Sequence, residues 1–371
     1  MPSATASAAR SDRDEAGSPP IEPRPSRILV RDVNWLGDVV MSLPALRAIR
    51  RAWPEAHLAV LIKRELASFF DGAGWIDAVI PYSIGRGMRG VGDRRRAIGE
   101  IRARQFDLAI IFPSSFESAL WIRVAGVPRR AGFSADARGA MLTHRAAPAR
   151  DAVAGPQPNW WLAMVRQTLG VDGDAGDFAI QPAARNLATV RTWLGPRRKR
   201  PDAPLVAIAP AAAFGPAKEW PLDRFAQLID QLSERDGVEC VLVGAPGERA
   251  KCDLVAAKTR AGALVAAGET NVGELIALLA IADGFAGNDS GAMHLAGALG
   301  RPTVAIFGST NPLRTAPFGA RSKVIWHRLA CSPCLARTCK FGHYNCLREV
   351  SPDEVGAALR EMMAAAGDRG Q

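Results

Sequence analysis

Two turns in this sequence carry residue types able to move a chemical group, and each follows an apolar run and precedes a helix-forming stretch. In the first, Ile28 to Val33 runs into Asn34-Trp35-Leu36-Gly37-Asp38, and Met41, Leu43, Leu46 and Ile49 then recur at helical spacing. Asp38 falls where a strand's carboxyl end meets a helix N-terminus, which is where open α/β sheets hold ligands. A carboxylate there can accept a proton or merely cap the helix. In the second, Gly284 to Asn288 leads into Asp289-Ser290-Gly291, a helix is predicted to Leu299 with His294 one turn in, and Thr303 to Gly308 reads as the next strand. Asp289 or Ser290 can cap that helix, and Gly291 would let the backbone approach a ligand. The free N–H groups and the helix dipole would suit an anionic or hydroxyl-rich group. The plainer alternative is a capped helix with a half-buried histidine. A third turn, Phe214-Gly215-Pro216-Ala217-Lys218-Glu219-Trp220-Pro221, holds Lys218 where an ammonium would suit a diphosphate, unless it is an ordinary surface lysine.

These turns need a layered α/β frame. The chain has 371 residues, enough for two domains with separate cores. Strands are predicted over Ile28–Val33, His57–Ile62, Ile76–Pro81, Asp107–Phe112 and Arg129–Phe133, with helices between them. After an interval with two helices (Asn159–Leu169 and Ala183–Leu194), a second series begins at Leu205–Pro210 and continues through Val238–Gly244, Ala263–Ala267, Gly284–Asn288 and Thr303–Gly308. Alternation of this kind predicts α/β architecture with mostly parallel sheets. Gly195 to Pro201, with its run of Arg197, Arg198, Lys199 and Arg200, reads as a solvated linker. Ser351-Pro352-Asp353-Glu354 signals the start of a last helix. Residues 1–26 are rich in Ala, Ser, Pro and charge, without the apolar stretch of a signal peptide, so a disordered leader and a cytoplasmic location are expected.

The motifs also stand together. Arg31-Asp32-Val33-Asn34-Trp35-Leu36-Gly37-Asp38-Val39-Val40-Met41 with Leu43-Pro44-Ala45-Leu46, Ser114-Ser115-Phe116-Glu117-Ser118-Ala119-Leu120, Gly215-Pro216-Ala217-Lys218 with Trp220-Pro221, and Asn288-Asp289-Ser290-Gly291 with His294 resemble the ADP-heptose transferases of glycosyltransferase family 9. The likeness covers nearly the whole chain from Arg27, in the same order. It implies a GT-B fold of two Rossmann-like domains facing a central cleft. Residues 27–195 would hold a lipid acceptor, 196–350 the nucleotide sugar, and 351–371 a C-terminal helix.

The implied reaction is inverting transfer of a heptose from ADP-heptose to the inner core of lipopolysaccharide, with the second addition, onto heptosyl-Kdo-lipid A, favoured. In that resemblance Asp38 matches the general base and Lys218 the lysine facing the diphosphate. Asp289, Ser290, Gly291 and His294 match the motif that holds ADP-heptose, while Glu248 and Thr270 fall near further donor contacts. No catalytic metal is implied, because a lysine and a helix dipole can steady the leaving group. Another GT-B sugar-nucleotide transferase or an epimerase would keep the fold and change the donor. One departure is Ala211-Ala212-Ala213, where the family usually carries Gly, which bears on how closely the backbone meets the nucleotide.

Charge supports an acidic partner. Lys plus Arg number 47 against 37 Asp plus Glu, giving a net charge of +10. Nothing in the sequence resembles a base-stacking or helix-turn-helix motif, so nucleic acid is not expected. Ser83 to Arg104 reads as a mobile, Gly-rich basic loop leading into a basic helix. Arg94, Arg95 and Arg96 are the hypothesised acceptor contacts, joined by Arg123, Arg129, Arg130 and Arg138, at a cytoplasmic membrane surface. Gly85 to Gly90 also matches G-x-G-x-x-G, but its place after an inner strand and its crowding with Arg argue against a dinucleotide turn. Cys331, Cys334, Cys339 and Cys346, with His343, have spacing open to a structural zinc or Fe–S site. The lack of a second C-x-x-C pair weighs against it, and reduced loop thiols are the default in a cytoplasmic protein.

Overall fold

In the computed structural model, which describes residues 21–85, 87–147 and 155–367, two parallel six-stranded sheets form successively along the chain. The first contains β1 (Arg27–Arg31), β2 (His57–Lys63), β3 (Ala78–Tyr82), β4 (Leu108–Ile111), β5 (Arg129–Phe133) and β6 (His144–Ala146), in the order β3-β2-β1-β4-β5-β6. Its helices are α1 (Leu36–Ala52), α2 (Gly87–Ala103), α3 (Phe116–Val124), α4 (Gln157–Leu169) and α5 (Ala184–Leu194). The second contains β7 (Leu205–Ala209), β8 (Glu239–Leu242), β9 (Leu264–Val265), β10 (Gly284–Asn288), β11 (Thr303–Phe307) and β12 (Ser322–Trp326), in the order β12-β11-β10-β7-β8-β9. Here α6 (Leu222–Asp236), α7 (Arg249–Lys258), α8 (Val272–Ile281), α9 (Gly291–Ala298), α10 (Pro312–Thr315), α11 (Asn345–Arg348) and α12 (Pro352–Gly367) complete the layers. The central strands are continuous apolar runs because helices cover both faces, as in β7, whose five residues are all buried.

Strand order reverses beside β1 in the first sheet and beside β7 in the second. Open parallel sheets leave a crevice at the carboxyl ends of such strands. The turn holding Asp38 leaves β1, and the turns holding Lys218 and Asp289 leave β7 and β10, so both switch points carry the polar motifs. The halves share one apolar cluster that runs from Val30 and Leu46 to Leu278 and Leu295. Phe178 meets Phe318 with ring centroids 4.3 Å apart, and Gly273 N donates to Ser68 Oγ at 3.1 Å.

Several expectations are corrected. The edge strands β6 and β12 were not foreseen. The Gly-rich segment is not a loop from Gly87 onward: α2 starts there, because Ala97 and Ile101 anchor it on the first sheet. Helical Gly87 and Gly90 also leave no dinucleotide-binding turn. Residues 1–20 of the expected leader lie outside the described residues, whereas Ile21 is buried and Ser26 binds Asp107 through both its N–H and its hydroxyl. The basic run after α5 is solvated at Arg197, Lys199 and Arg200, and it is also tied down, since Arg198 pairs with the mostly buried Glu239 at 2.8 Å and Arg200 donates to Val238 O. At α12, Ser351 Oγ accepts from Glu354 N at 3.2 Å, as its sequence signal predicts.

Candidate active site

Asp38 stands in the first turn of α1, facing the second half of the molecule. Its carboxylate accepts no hydrogen bond among the described residues, so it does not cap the helix. Burial pushes the carboxyl up to about 6; nearby Lys218 opposes that rise and Asp289 adds to it. The three residues therefore share one electrostatic site although they come from three separate turns.

Across the cleft, Lys218 Nζ pairs with Asp289 Oδ2 at 2.6 Å, and Thr310 Oγ1 donates to the same oxygen at 2.6 Å. Asn288 fixes the geometry from below. Its Oδ1 accepts from Trp220 N and its Nδ2 donates to Pro210 O, both at 2.9 Å, which ties the end of β10 to the turns after β7. Ser290, not Asp289, caps α9 by accepting from Met293 N at 3.5 Å. Ala211 and Ala212 are buried, and Ala212 N donates to Glu219 Oε1 at 3.1 Å, so this backbone is already engaged.

The two helix N-termini meet through glycines. A Cβ on Gly37 would lie 2.8 Å from His294 Cδ2, and one on Gly291 would lie 2.8 Å from Leu36 Cβ. Gly291 thus admits Leu36 of the opposite half rather than a ligand. His294 is fully buried, not half-buried as the sequence suggested. Burial is the main cause of a pKa lowered to about 4, Lys218 adding to it and Asp289 opposing it, so the ring is neutral at physiological pH. His294 Nδ1 has no partner among the described residues, nor does Asp32 Oδ2, whose buried carboxyl is pushed up to about 7.

Glu248 and Thr270 lie at the β8–β9 side of the second sheet. Glu248 Oε2 accepts from Ala245 N at 2.7 Å beside Gly244, and Thr270 is half-buried just before α8. They are not part of the Asp38–Lys218–Asp289 cluster. Arg94, Arg95 and Arg96 diverge around α2. Arg94 pairs with Glu117 at the start of α3, Arg96 leans on Asp93 at 3.5 Å, and Arg95 is exposed. Arg138 is corrected to a structural residue: it is fully buried and its guanidinium holds Phe133 O, Pro113 O and Ser118 Oγ. Arg129 and Arg130 are likewise spent on backbone carbonyls. Sequence reading missed the cluster of Arg31, Tyr82 and Asn34. The Arg31 guanidinium lies 4.6 Å over the Tyr82 ring, and Tyr82 OH donates to Asn34 Oδ1 at 2.7 Å.

The cysteine loop sits behind the Lys218 turn. Cys331, Cys334, Cys339 and Cys346 line one small pocket with His343, Ala217 and Ser309. Among the described residues no group of three or more His, Cys, Asp or Glu is arranged to hold a metal ion. The loop does buttress the site: Ala217 N donates to Arg337 O at 3.0 Å, and Leu335 N to Ser309 O at 2.7 Å.

Comparison with known proteins agrees with this geometry. Residues 94–345 match the model of glycosyltransferase family 9 (heptosyltransferase). Lipopolysaccharide heptosyltransferase 2 of Salmonella typhimurium is 28% identical, over 92% of this chain and 99% of its own length. The solved ADP-heptose LPS heptosyltransferase II of E. coli is 25% identical, with a TM-score of 0.79 over 92% of this chain and 99% of that one. A glycosyltransferase family 9 protein from Veillonella parvula is 22% identical, with a TM-score of 0.82 over 94% and 100%. The fold is GT-B, and the chain belongs to glycosyltransferase family 9, the heptosyltransferase family.

Proposed function

We propose that this glycosyltransferase moves a heptose from ADP-heptose to the inner core of lipopolysaccharide, adding the second heptose to heptosyl-Kdo-lipid A at a membrane surface. The observation that carries the reading is the half-buried Asp38 carboxylate, without a hydrogen-bond partner among the described residues, facing the Lys218–Asp289–Thr310 cluster across the cleft. Asp38 takes the proton of the acceptor hydroxyl as that oxygen attacks the anomeric carbon, and the ADP oxygen leaves from the opposite face. A base with a pKa raised to about 6 is ionised at neutral pH yet more basic than an ordinary carboxylate.

Lys218 and the N–H groups at the start of α9 meet the charge that grows on the departing diphosphate, so the transfer needs no metal ion. Asp289 and Thr310 hold Lys218 in place, neutral His294 packs beside the donor, and Glu248 and Thr270 contact its nucleoside end. Arg94 faces the acidic sugars of the acceptor, while the mostly buried Arg31–Tyr82–Asn34 cluster holds the end of β1 in place.

The test is ADP release from ADP-heptose with Kdo-lipid A and heptosyl-Kdo-lipid A as separate acceptors, with and without chelator. The expected result is release with the heptosylated acceptor alone, insensitive to chelator. Tight ADP binding without release from either acceptor would overturn the choice of donor sugar or acceptor.

A further inference from the structure

The outer surface of α2 and α3 is apolar and basic at once. Phe116, Leu120 and Val124 recur every fourth residue on α3 and are all exposed, while its opposite face buries Ser118, Ala119, Trp121 and Ile122. Val91 is exposed on the neighbouring α2, and Arg102 of α2 donates to Val124 O at 2.7 Å, so the two helices present one continuous face. Arg89, Arg95 and Arg123 are exposed on these helices, and among the described residues none of them makes an ion pair. Six of the ten exposed large hydrophobics among the described residues fall between Trp35 and Val124, and Trp35 and Ile84 lie at the carboxyl edge of the same sheet. Contiguous apolar side chains rimmed by cations are uncommon on a soluble surface and suit an anionic bilayer, where the rings and aliphatic groups enter the headgroup layer and the guanidinium groups meet lipid phosphates.

We infer that the α2–α3 face seats the enzyme on an anionic membrane, with the cleft opening beside it. Both helices run parallel, and their N-termini lie at the same carboxyl edge as the Asp38 turn. A lipid-anchored acceptor held in that bilayer would thus present its sugars to Asp38 without leaving the membrane. The inference rests on the lipid-acceptor reading above for its purpose, but not for its physical basis. No described helix is long and apolar enough to cross a bilayer, so the contact is peripheral.

The test uses the full chain and the variants Leu120→Glu/Val124→Glu and Arg89→Glu, with thermal melting to confirm folding. Sedimentation is measured with phosphatidylcholine vesicles with and without phosphatidylglycerol. Wild type should bind the anionic vesicles preferentially, and each variant should lose roughly tenfold or more in that binding. Transfer to a vesicle-embedded acceptor should fall in parallel, while transfer to its water-soluble, deacylated form stays at the wild-type rate. Folded variants that bind anionic vesicles as wild type does would overturn the inference. Vesicle binding that depends on this face, in a wild type that uses neither form of the acceptor, would leave the face standing and sink the acceptor reading.

Discussion

The two walls of the cleft hold their charged groups in opposite ways. On the C-terminal side each charge is matched: Asp289 receives Lys218 and Thr310, Asn288 uses both amide atoms, and Glu219 takes Lys251 at 2.5 Å as well as Ala212 N. On the N-terminal side Asp38 has burial but no hydrogen-bonding partner among the described residues. A group that must hold a diphosphate in one place gains from a fixed, compensated lattice of contacts. A group that must take up a proton gains from having no donor already aimed at it, because such donors would lower its pKa. The difference between the walls is the difference between binding and base catalysis.

The sharpest way to break this comparison is Asp38→Asn, which keeps shape and removes the base. Turnover is expected to drop by about 10²–10⁴-fold, with ADP affinity unchanged in calorimetry. An equal loss of ADP binding would place Asp38 on the donor side. Lys218→Ala should come next, costing about 10²–10³-fold in turnover and, unlike Asp38→Asn, weakening ADP binding as well. Because Lys218 lowers the Asp38 pKa, its removal should also shift the pH profile upward.

The sequence made the polar motifs of both walls visible, but not the contacts between them. Asp38, Lys218 and Asp289 are legible because strand-turn-helix patterns put each at a carboxyl edge. That Gly37 meets His294 and that Gly291 meets Leu36 is a fact of how the two sheets face each other, and no local pattern encodes it. The same limit hid β6 and β12, edge strands paired on one side only. His144-Arg145-Ala146 is too short and polar to alternate, and Ser322 to Trp326 carries only two strongly apolar positions beside its tryptophan. The Arg31–Tyr82–Asn34 cluster joins the ends of two strands 51 residues apart, which spacing cannot foretell. Arg138 misled because charge usually means surface. Here four acceptors, three of them between Pro113 and Ser118, draw its guanidinium inward.

Smaller effects sharpen the picture of how the walls touch. Gly37→Ala and Gly291→Ala should each cost about 1–3 kcal/mol in chemical denaturation, since the added methyl has no room. For Gly291→Ala the loss should be partly recovered by Leu36→Gly, which removes the Cβ, Cγ and Cδ2 atoms that crowd the added methyl. Absence of recovery would mean that the two halves stand further apart in solution. Arg94→Ala should have the smallest effect, raising the acceptor KM by roughly three- to tenfold with the donor KM unchanged. A matching rise in donor KM would remove Arg94 from the acceptor wall.

The most direct test of Asp38 as the base is the pH dependence of kcat/KM for the acceptor, in wild type and in Asp38→Asn. Below its pKa the Asp38 carboxyl is protonated and cannot accept the proton of the attacking hydroxyl. Wild-type kcat/KM should therefore rise with pH through an inflection near 6 and then level off, while the residual activity of Asp38→Asn stays flat across the same range. An inflection near 6 that persists in Asp38→Asn would contradict the account and assign the base to another residue.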